Sequence, residues 1–328
     1  MRQAALAGLR KYQWAKRPDF TRPHAVQARA GNATLLRLAS SDAAHKKAQR
    51  QPAAILIPSL VNSHVILDLS DSMSLVGHLA RSGFTPYLVN WGMPAPEDSR
   101  LDLAGHIEQR LVPMIRSIEG PVTLVGYCLG GTIALGAAEL VNPAAVATIA
   151  APWRFDLYPP EERERIAALW DQSKPLCERL GFVPMEVLQN GFWSLDPART
   201  IRKYAAFADM AEGSDAERAF LAVEDWANEG SPLTFGAGRD LFDRLYAGNA
   251  SGNGEWAVGG KPVRPDALSC PTLAIQSSTD RIVPADAAPP LKQRIDSPLG
   301  HVGMIVSRKA PDQIWEPLSD WLSNSAGW

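Results

Sequence analysis

The sequence predicts an α/β fold in which a mostly parallel central sheet is flanked by helices. Short apolar runs alternate with helical patterns from Ala53 onward, and this strand–turn–helix unit recurs at least three times. The chain has 328 residues, of which 46% are hydrophobic and 21% charged, so it can bury a large core. Its length fits two domains, or one α/β domain that carries an insertion.

The individual elements follow from the period of the apolar residues. Gly83 stands where the first predicted helix should stop, and Pro113 should interrupt the second. Short apolar runs predict strands at residues 53–57, 86–90, 122–125, 146–149 and 272–276. Helical spacing predicts helices at residues 69–81, 101–118, 132–140 and 311–322.

Two segments lack the strand–helix alternation. Residues 1–50 begin with MRQAALAGLRKYQWAKRP, a basic stretch without the continuous apolar run of a secretory signal. They are interpreted as a helical segment on the surface, or alternatively as an amphipathic contact with a hydrophobic surface or partner. Residues 154–266 carry aromatics and short helical stretches, which predicts a helical cap inserted into a core of residues 51–153 and 267–328.

Charge and cysteine content exclude several classes of function. There are 33 basic and 35 acidic residues, for a net charge of −2, so no basic field points to nucleic acid. Cys128, Cys177 and Cys270 form no CxxC motif, and no histidine pair has metal spacing, so neither a disulfide scaffold nor a metal site is expected. No apolar run approaches the ~20 residues of a membrane span. The sequence therefore predicts a cytoplasmic protein that is not transmembrane.

The main chemical motif is Gly126-Tyr127-Cys128-Leu129-Gly130, which has the form G-x-nucleophile-x-G. It lies between an apolar strand and a small-residue helix, where a nucleophile occupies a strained turn and glycines permit close approach of the backbone. The N-terminus of the helix that follows favours a thiolate at Cys128. A motif of this kind, taken alone, also fits a cysteine that merely packs in the core.

Two further residues complete a predicted catalytic triad. Asp280 lies in the loop after the strand at 272–276, and His301 lies in a glycine-flanked loop near the C-terminus. The order nucleophile, acid, histidine is that of an α/β-hydrolase fold. Backbone N–H groups of Leu129 and Val61 are predicted to form the oxyanion hole, although the loop at 58–62 also fits an ordinary turn.

Several motifs together resemble the polyhydroxyalkanoate (PHA) synthase family, closest to its class III catalytic subunit. The resemblance extends from about Ala53 to His301. It rests on Pro58 with Val61-Asn62 and Val65-Ile66-Leu67-Asp68-Leu69, on Val89-Asn90-Trp91-Gly92-Met93-Pro94, on Gly126-Tyr127-Cys128-Leu129-Gly130-Gly131-Thr132, on Asp280-Arg281-Ile282-Val283-Pro284 and on Gly300-His301-Val302-Gly303. Two segments of the cap, Val223-Glu224-Asp225-Trp226 and Leu245-Tyr246-Ala247-Gly248-Asn249, also resemble the family.

The resemblance implies an acyltransferase that polymerises 3-hydroxyacyl-CoA into polyhydroxyalkanoate through an acyl group linked to Cys128. The coenzyme A thioester is then the substrate, and no other cofactor is implied. The implied partners are a second copy of the chain or a companion synthase subunit, and the surface of a polymer granule. The sequence departs from the family's pattern at several positions, among them Ser63 for Lys, Asn90 for Asp and Arg281 for His.

Other functions share the same residues. Dienelactone hydrolases have a similar nucleophile motif, but they lack a cap and their acid follows the nucleophile much sooner. A cysteine-dependent thioesterase or polyester depolymerase would keep the whole triad and differ in admitting water. A catalytically silent subunit that binds a partner or a granule is the non-enzymatic alternative.

Overall fold

A computed structural model describes residues 1–17, 20, 22–38, 51–195 and 197–325, with the backbone alone for residues 192–195, 197 and 199. An eight-stranded sheet lies at its centre. The strands of this sheet are β1 (His24–Ala30), β2 (Ala33–Leu38), β3 (Ala53–Ile57), β4 (Thr85–Asn90), β5 (Val122–Tyr127), β6 (Ala145–Ile149), β11 (Thr272–Ser277) and β12 (Gln293–Ser297). Their order is β1-β2-β4-β3-β5-β6-β11-β12, and every pair from β4 to β12 is parallel. The predicted fold class is confirmed.

Helices cover both faces of the sheet. The α-helices are α1 (Arg2–Trp14), α2 (Leu75–Arg81), α3 (Leu103–His106), α4 (Val112–Arg116), α5 (Leu129–Val141), α6 (Pro160–Leu180), α7 (Met185–Leu195), α8 (Pro197–Ala208), α9 (Asp215–Asn228), α10 (Phe235–Arg239), α11 (Gly303–Val306) and α12 (Glu316–Ser325). Short strands form two small sheets, β7 (Phe182–Val183) with β8 (Leu233–Thr234) and β9 (Ala257–Val258) with β10 (Lys261–Pro262). Wider π-helical turns occupy Ile107–Leu111, Asp240–Ala247 and Pro311–Trp315.

The five predicted strands agree with the structure to within two residues at each end. Strands β3, β5, β6 and β11 are buried along their whole length. This burial explains why they appear in the sequence as continuous apolar runs, because a parallel strand covered on both faces has no polar side. The polar strand β12 escaped prediction, since its side chains are largely exposed at the edge of the sheet.

The prediction that residues 1–50 are helical is wrong for the part that follows α1. Strands β1 and β2 form an antiparallel hairpin that adds to the sheet through β4. Gly31-Asn32 joins them, with Gly31 at a φ of +58°, and a Gly-Asn pair between two strands is a recognised hairpin signal. Residues 39–50 of the predicted segment lie outside the described residues.

Two predicted helices begin or continue differently from the prediction. Helix α2 starts at Leu75 rather than at residue 69, because the Ser74 side chain accepts a hydrogen bond from the Gly77 N–H and caps the helix there. The second predicted helix is interrupted just before Pro113, by a π-helical turn at Ile107–Leu111, and Pro113 itself lies in the first turn of α4. Such a turn re-satisfies the backbone around a proline that lacks an N–H.

The predicted cap segment, residues 154–266, contains helices α6 to α10. Its boundary with the core stays a prediction, because cap side chains such as Trp170 and Phe242 belong to the same buried cluster as Ile55 and Leu124 of the sheet. Beyond this shared cluster, α8 and α9 lie against the N-terminal helix. The Lys11 side chain of α1 forms an ion pair with Glu217 of α9 at 3.1 Å.

Helix α5 is pressed directly against the sheet below the predicted nucleophile. A Cβ atom at Gly130 would lie 2.1 Å from the Ile57 carbonyl oxygen, and one at Gly126 would lie 2.4 Å from the Gly130 carbonyl oxygen. Both distances are far inside a van der Waals contact. Glycine at these positions therefore lets the start of α5 approach β3 and β5.

We expect Gly130→Ala to lower the free energy of unfolding by about 3 kcal/mol, because the added methyl group collides with rigid backbone. Gly191→Ala is the matched control, since its nearest contact, Leu169 Cδ2 at 3.6 Å, is ordinary. Alanine in a helix should leave that variant as stable as the parent or slightly more stable. Urea unfolding of both variants tests this, and equal stabilities would contradict the packing argument.

Candidate active site

Cys128 occupies the sharp turn between β5 and α5. Its backbone has φ +55° and ψ −132°, a strained conformation for a residue with a side chain. The Cys128 N–H donates to the Ile149 carbonyl oxygen at 2.9 Å, and its carbonyl oxygen accepts from Gly131 at 2.8 Å. These bonds hold the turn and place the partly exposed thiol at the carboxyl edge of the sheet.

Asp280 and His301 form the second half of the predicted triad. Asp280 Oδ1 accepts hydrogen bonds from the backbone N–H groups of Ile282 at 2.7 Å and Val283 at 3.0 Å. Its other oxygen, Oδ2, lies 2.7 Å from His301 Nδ1. Both side chains are buried, at 1% and 7% exposure respectively. The carboxylate is therefore fixed by its own loop and orients the imidazole.

His301 faces the same cavity as Cys128 and interacts with that side chain electrostatically. Burial alone would lower the pKa of His301, but the negative charge of Cys128 and the hydrogen bond to Asp280 outweigh it and raise the pKa to about 10. The ring therefore carries a proton next to the sulfur. Such an arrangement suits an acid that hands a proton to a leaving group and later removes one from a nucleophile.

Of the two backbone N–H groups predicted to form the oxyanion hole, those of Leu129 and Val61, the second already has a hydrogen-bond partner. Leu129 is the first residue of α5, and the first N–H groups of a helix have no partner within it. The Val61 N–H, by contrast, donates to the Ser59 hydroxyl at 3.1 Å. Trp91 Nε1 holds the start of the same loop through the Pro58 carbonyl oxygen at 3.1 Å. Use of the Val61 N–H would require Ser59 to rotate away, so this residue stays a prediction.

Cys128 and His301 open onto one cavity of about 570 Å³. Its wall is mostly apolar and is built from both the core and the cap. The apolar side chains include Ile66, Met73, Phe155, Phe220, Val223, Trp226, Leu241, Ile282 and Val306. Asn62 and Arg281 belong to the polar part of the lining. A cavity of this kind favours an acyl chain at the thiol.

The cap aromatics divide between the cavity and the core. Trp226 lines the cavity and donates from Nε1 to the Ser63 carbonyl oxygen at 2.8 Å, which joins the cap to the loop beside the thiol. Trp170 stacks on Phe242 with ring centroids 4.7 Å apart, and Trp256 is fully buried. These two tryptophans serve packing. The side chains of Phe192 and Trp193 lie outside the described residues.

Sequence reasoning missed the tyrosines of the cavity. Tyr127, Tyr158 and Tyr246 all line it. The Tyr127 ring lies tilted beside the His301 ring, with centroids 5.3 Å apart, and Tyr127 belongs to the nucleophile motif, which could have signalled it. Tyr158 and Tyr246 are 88 positions apart in the sequence. No local pattern links them, because only the folded chain brings them together.

Neither a membrane span nor a metal cluster is found in the described part of the chain. Across residues 1–17, 20, 22–38, 51–195 and 197–325, no helix combines the length and apolarity that crossing a bilayer demands. Within the same ranges, no group of three or more His, Cys, Asp or Glu side chains could hold a metal ion. Cys128, Cys177 and Cys270 are free thiols.

The chain belongs to the alpha/beta hydrolase family, whose model matches residues 54–314. Solved structures of low sequence identity share the fold of this chain, and they show nothing beyond the fold. Epoxide hydrolase A from Mycobacterium thermoresistibile is 16% identical, with a TM-score of 0.52, and covers 92% of this chain and 98% of that one. A hydrolase from Oleispira antarctica is 13% identical, with a TM-score of 0.51, and covers 84% and 92%.

Curated relatives within this family confirm the resemblance to the PHA synthases. The poly(3-hydroxyalkanoate) polymerase subunit PhaC of Haloferax mediterranei is 27% identical over 82% of this chain and 58% of that protein. The protein of the same name from Allochromatium vinosum is 29% identical over 84% of this chain and 82% of that one. The protein of the same name from Thiocystis violacea is 28% identical over 82% of this chain and 80% of that one. The chain thus spans little more than half of the Haloferax protein.

Removing the charge of Cys128 should lower the pKa of His301 from about 10 toward its ordinary 6.5. Because folding raises this pKa, the proton's contribution to stability is complete below pH 6.5 and is lost as the pH rises through about 10. An NMR titration of the imidazole in Cys128→Ala measures the shift, with His78 as the internal reference. An unchanged pKa would show that sulfur and imidazole are not coupled.

Proposed function

We propose that this protein is an acyltransferase that polymerises 3-hydroxyacyl units from coenzyme A thioesters into polyhydroxyalkanoate. The observation that carries the proposal is the Cys128, His301 and Asp280 arrangement at an apolar cavity. The PhaC relatives support the choice of reaction. The proposal includes no cofactor other than the coenzyme A thioester that serves as substrate.

The first step loads the acyl group onto the enzyme. The Cys128 thiolate attacks the thioester carbonyl carbon, and the negative charge that develops on the carbonyl oxygen faces the start of α5. The tetrahedral intermediate then collapses, the carbon–sulfur bond to coenzyme A breaks, and the His301 imidazolium protonates the leaving thiolate. One thioester replaces another, so the acyl group stays activated. Asp280 keeps the imidazole in position throughout.

The second step extends the chain. Neutral His301 accepts the proton of the hydroxyl group on a second hydroxyacyl unit, and that oxygen attacks the Cys128 thioester. An ester bond forms, the bond to sulfur breaks, and the Cys128 thiolate is regenerated next to a protonated His301. Conversion of a thioester into an oxyester runs downhill. A serine nucleophile would form the stable oxyester already at the first step and lose this driving force.

Water competes with the hydroxyl group for the acyl-enzyme, so the cavity must exclude it. The apolar wall around Cys128, to which the cap contributes Phe220, Val223 and Trp226, supports transfer over hydrolysis. The same triad in a wet site would act as a thioesterase or a depolymerase. The balance between polymer and free acid therefore depends on the wall rather than on the triad.

The partners and the location are part of the same proposal. We propose a homodimer or a complex with a companion synthase subunit, acting in the cytoplasm at the surface of a polymer granule. The word "subunit" in the names of the PhaC relatives supports a partner. Leu6 and Trp14 of α1 are 59% and 87% exposed, which supports a contact with an apolar surface.

Cys128→Ala should abolish coenzyme A release from 3-hydroxybutyryl-CoA, because no acyl-enzyme can form. Cys128→Ser should retain less than about 1% of the activity, since the weaker nucleophile gives a stable oxyester. The control is Cys270→Ala, which removes a thiol that does not line the cavity. A thiol-release assay follows all three variants. Turnover that survives in Cys128→Ala would remove this residue from the mechanism.

Purified protein supplied with labelled 3-hydroxybutyryl-CoA should convert most of the label into polymer. Measurement of coenzyme A, polymer and free 3-hydroxybutyrate separates transfer from hydrolysis. We expect Val223→Ser to shift label from polymer to free acid, because a polar wall admits water. Free acid as the sole product of the parent protein would identify it as a hydrolase.

A further inference from the structure

Two tyrosine residues line the active-site cavity, and the triad makes no use of their hydroxyls. Tyr158 and Tyr246 line the cavity that contains Cys128 and His301. Their ring centroids are 5.3 Å apart, and Tyr158 is only 3% exposed. Much of the wall around them is apolar. The burial of two hydroxyl groups among apolar side chains lowers the stability of the fold unless these hydroxyls form hydrogen bonds.

The Tyr158 hydroxyl lacks a hydrogen bond of normal geometry. Several buried polar side-chain atoms of the described residues lack a partner, and among them Tyr158 Oη alone belongs to a residue of this cavity wall. Tyr246 presents its own hydroxyl to Tyr158, but the geometry of a good bond is not reached. Buried hydroxyls are almost always bonded, so an unsatisfied one beside a substrate cavity points to a ligand.

Packing fixes the position of both rings. Phe155 stacks on Tyr158 with centroids 5.6 Å apart and planes 7° apart, and it meets Tyr246 edge-on at 4.8 Å. The Phe155 N–H in turn donates to Asn249 Oδ1 at 2.9 Å. A polar group held in this way can bind a ligand with little loss of conformational entropy.

Both hydroxyls keep their protons and lie within electrostatic range of the thiol. Burial, the neighbouring Tyr246 and the charge of Cys128 raise the pKa of Tyr158 well above its ordinary value. Burial and the same charge raise the pKa of Tyr246. An acyl group on Cys128 that carries a 3-hydroxyl has this oxygen only two carbons beyond the thioester carbonyl. The substituent and the tyrosines therefore share one cavity with the thiol.

We propose that the hydroxyls of Tyr158 and Tyr246 bind the 3-hydroxyl of the acyl group at Cys128 and so select 3-hydroxyacyl thioesters over acyl thioesters without this group. The assignment rests on the proposed function, since it concerns the same cavity and the same acyl-enzyme. A site built around a substrate hydroxyl discriminates strongly against the analogue that lacks it, because its own polar groups then stay unpaired. Tyr158 and Tyr246 are specificity-determining residues in this view.

The test compares acylation of Cys128 by 3-hydroxybutyryl-CoA and by butyryl-CoA in the parent and in Tyr158→Phe. Single-turnover coenzyme A release, with mass spectrometry of the acyl-enzyme, gives a second-order rate constant for each thioester. We expect Tyr158→Phe to lower the constant for 3-hydroxybutyryl-CoA about tenfold and to leave that for butyryl-CoA within about twofold. Its melting temperature should fall little, because the lost hydroxyl makes no hydrogen bond of good geometry in the free protein.

Tyr87→Phe is the control, since Tyr87 lies in β4 and does not line the cavity. An equal loss for both thioesters, or an unchanged ratio between them, would overturn the assignment. If Tyr158→Phe fails to fold, Tyr246→Phe decides by the same ratio. Failure of the proposed function has a different signature, because the parent would then yield only free acid from 3-hydroxybutyryl-CoA.

Discussion

The close contact between the start of helix α5 and strands β3 and β5 is the constraint on which the site depends. Because Gly126 and Gly130 have no side chains, the helix approaches the sheet until backbone meets backbone. The chain between strand and helix then has no room for a relaxed turn, and Cys128 is forced to a φ of +55°. This strain projects the sulfur out of the sheet toward the cavity.

The parallel sheet gathers the rest of the site at the same edge. Cys128 follows β5, Asp280 follows β11 and His301 follows β12. The carboxyl ends of parallel strands lie together, so residues far apart in sequence meet there. A further bond ties the last two loops, since the Thr279 hydroxyl donates to the Pro298 carbonyl oxygen at 2.8 Å. The sheet thus brings the three residues to one edge, and the loops that follow the strands orient their side chains.

The sheet could be predicted from the sequence because its buried strands have a strong local signature, and the residues of the predicted triad have local signals of their own. Each buried strand appears as an apolar run, and the residues of the triad stand at strand ends in a fixed order. The hairpin β1–β2 was missed although Gly31-Asn32 marks its turn, because its strands carry His24, Arg29 and other polar residues. The hydrogen bond from the Val61 N–H to the Ser59 hydroxyl could not be predicted, because it depends on the rotation of a side chain.

The chemistry of a thioester explains why the wall of the cavity matters more than the triad for the outcome. In the proposed mechanism, a thioester at Cys128 is reactive toward water and toward a hydroxyl group alike, and His301 serves either attack. An apolar wall disfavours water, but it also disfavours the hydroxyl of the substrate, because that group must lose its own hydration to enter. In our proposal, the hydroxyls of Tyr158 and Tyr246 remove this conflict, because they replace the hydrogen bonds that the substrate hydroxyl gives up.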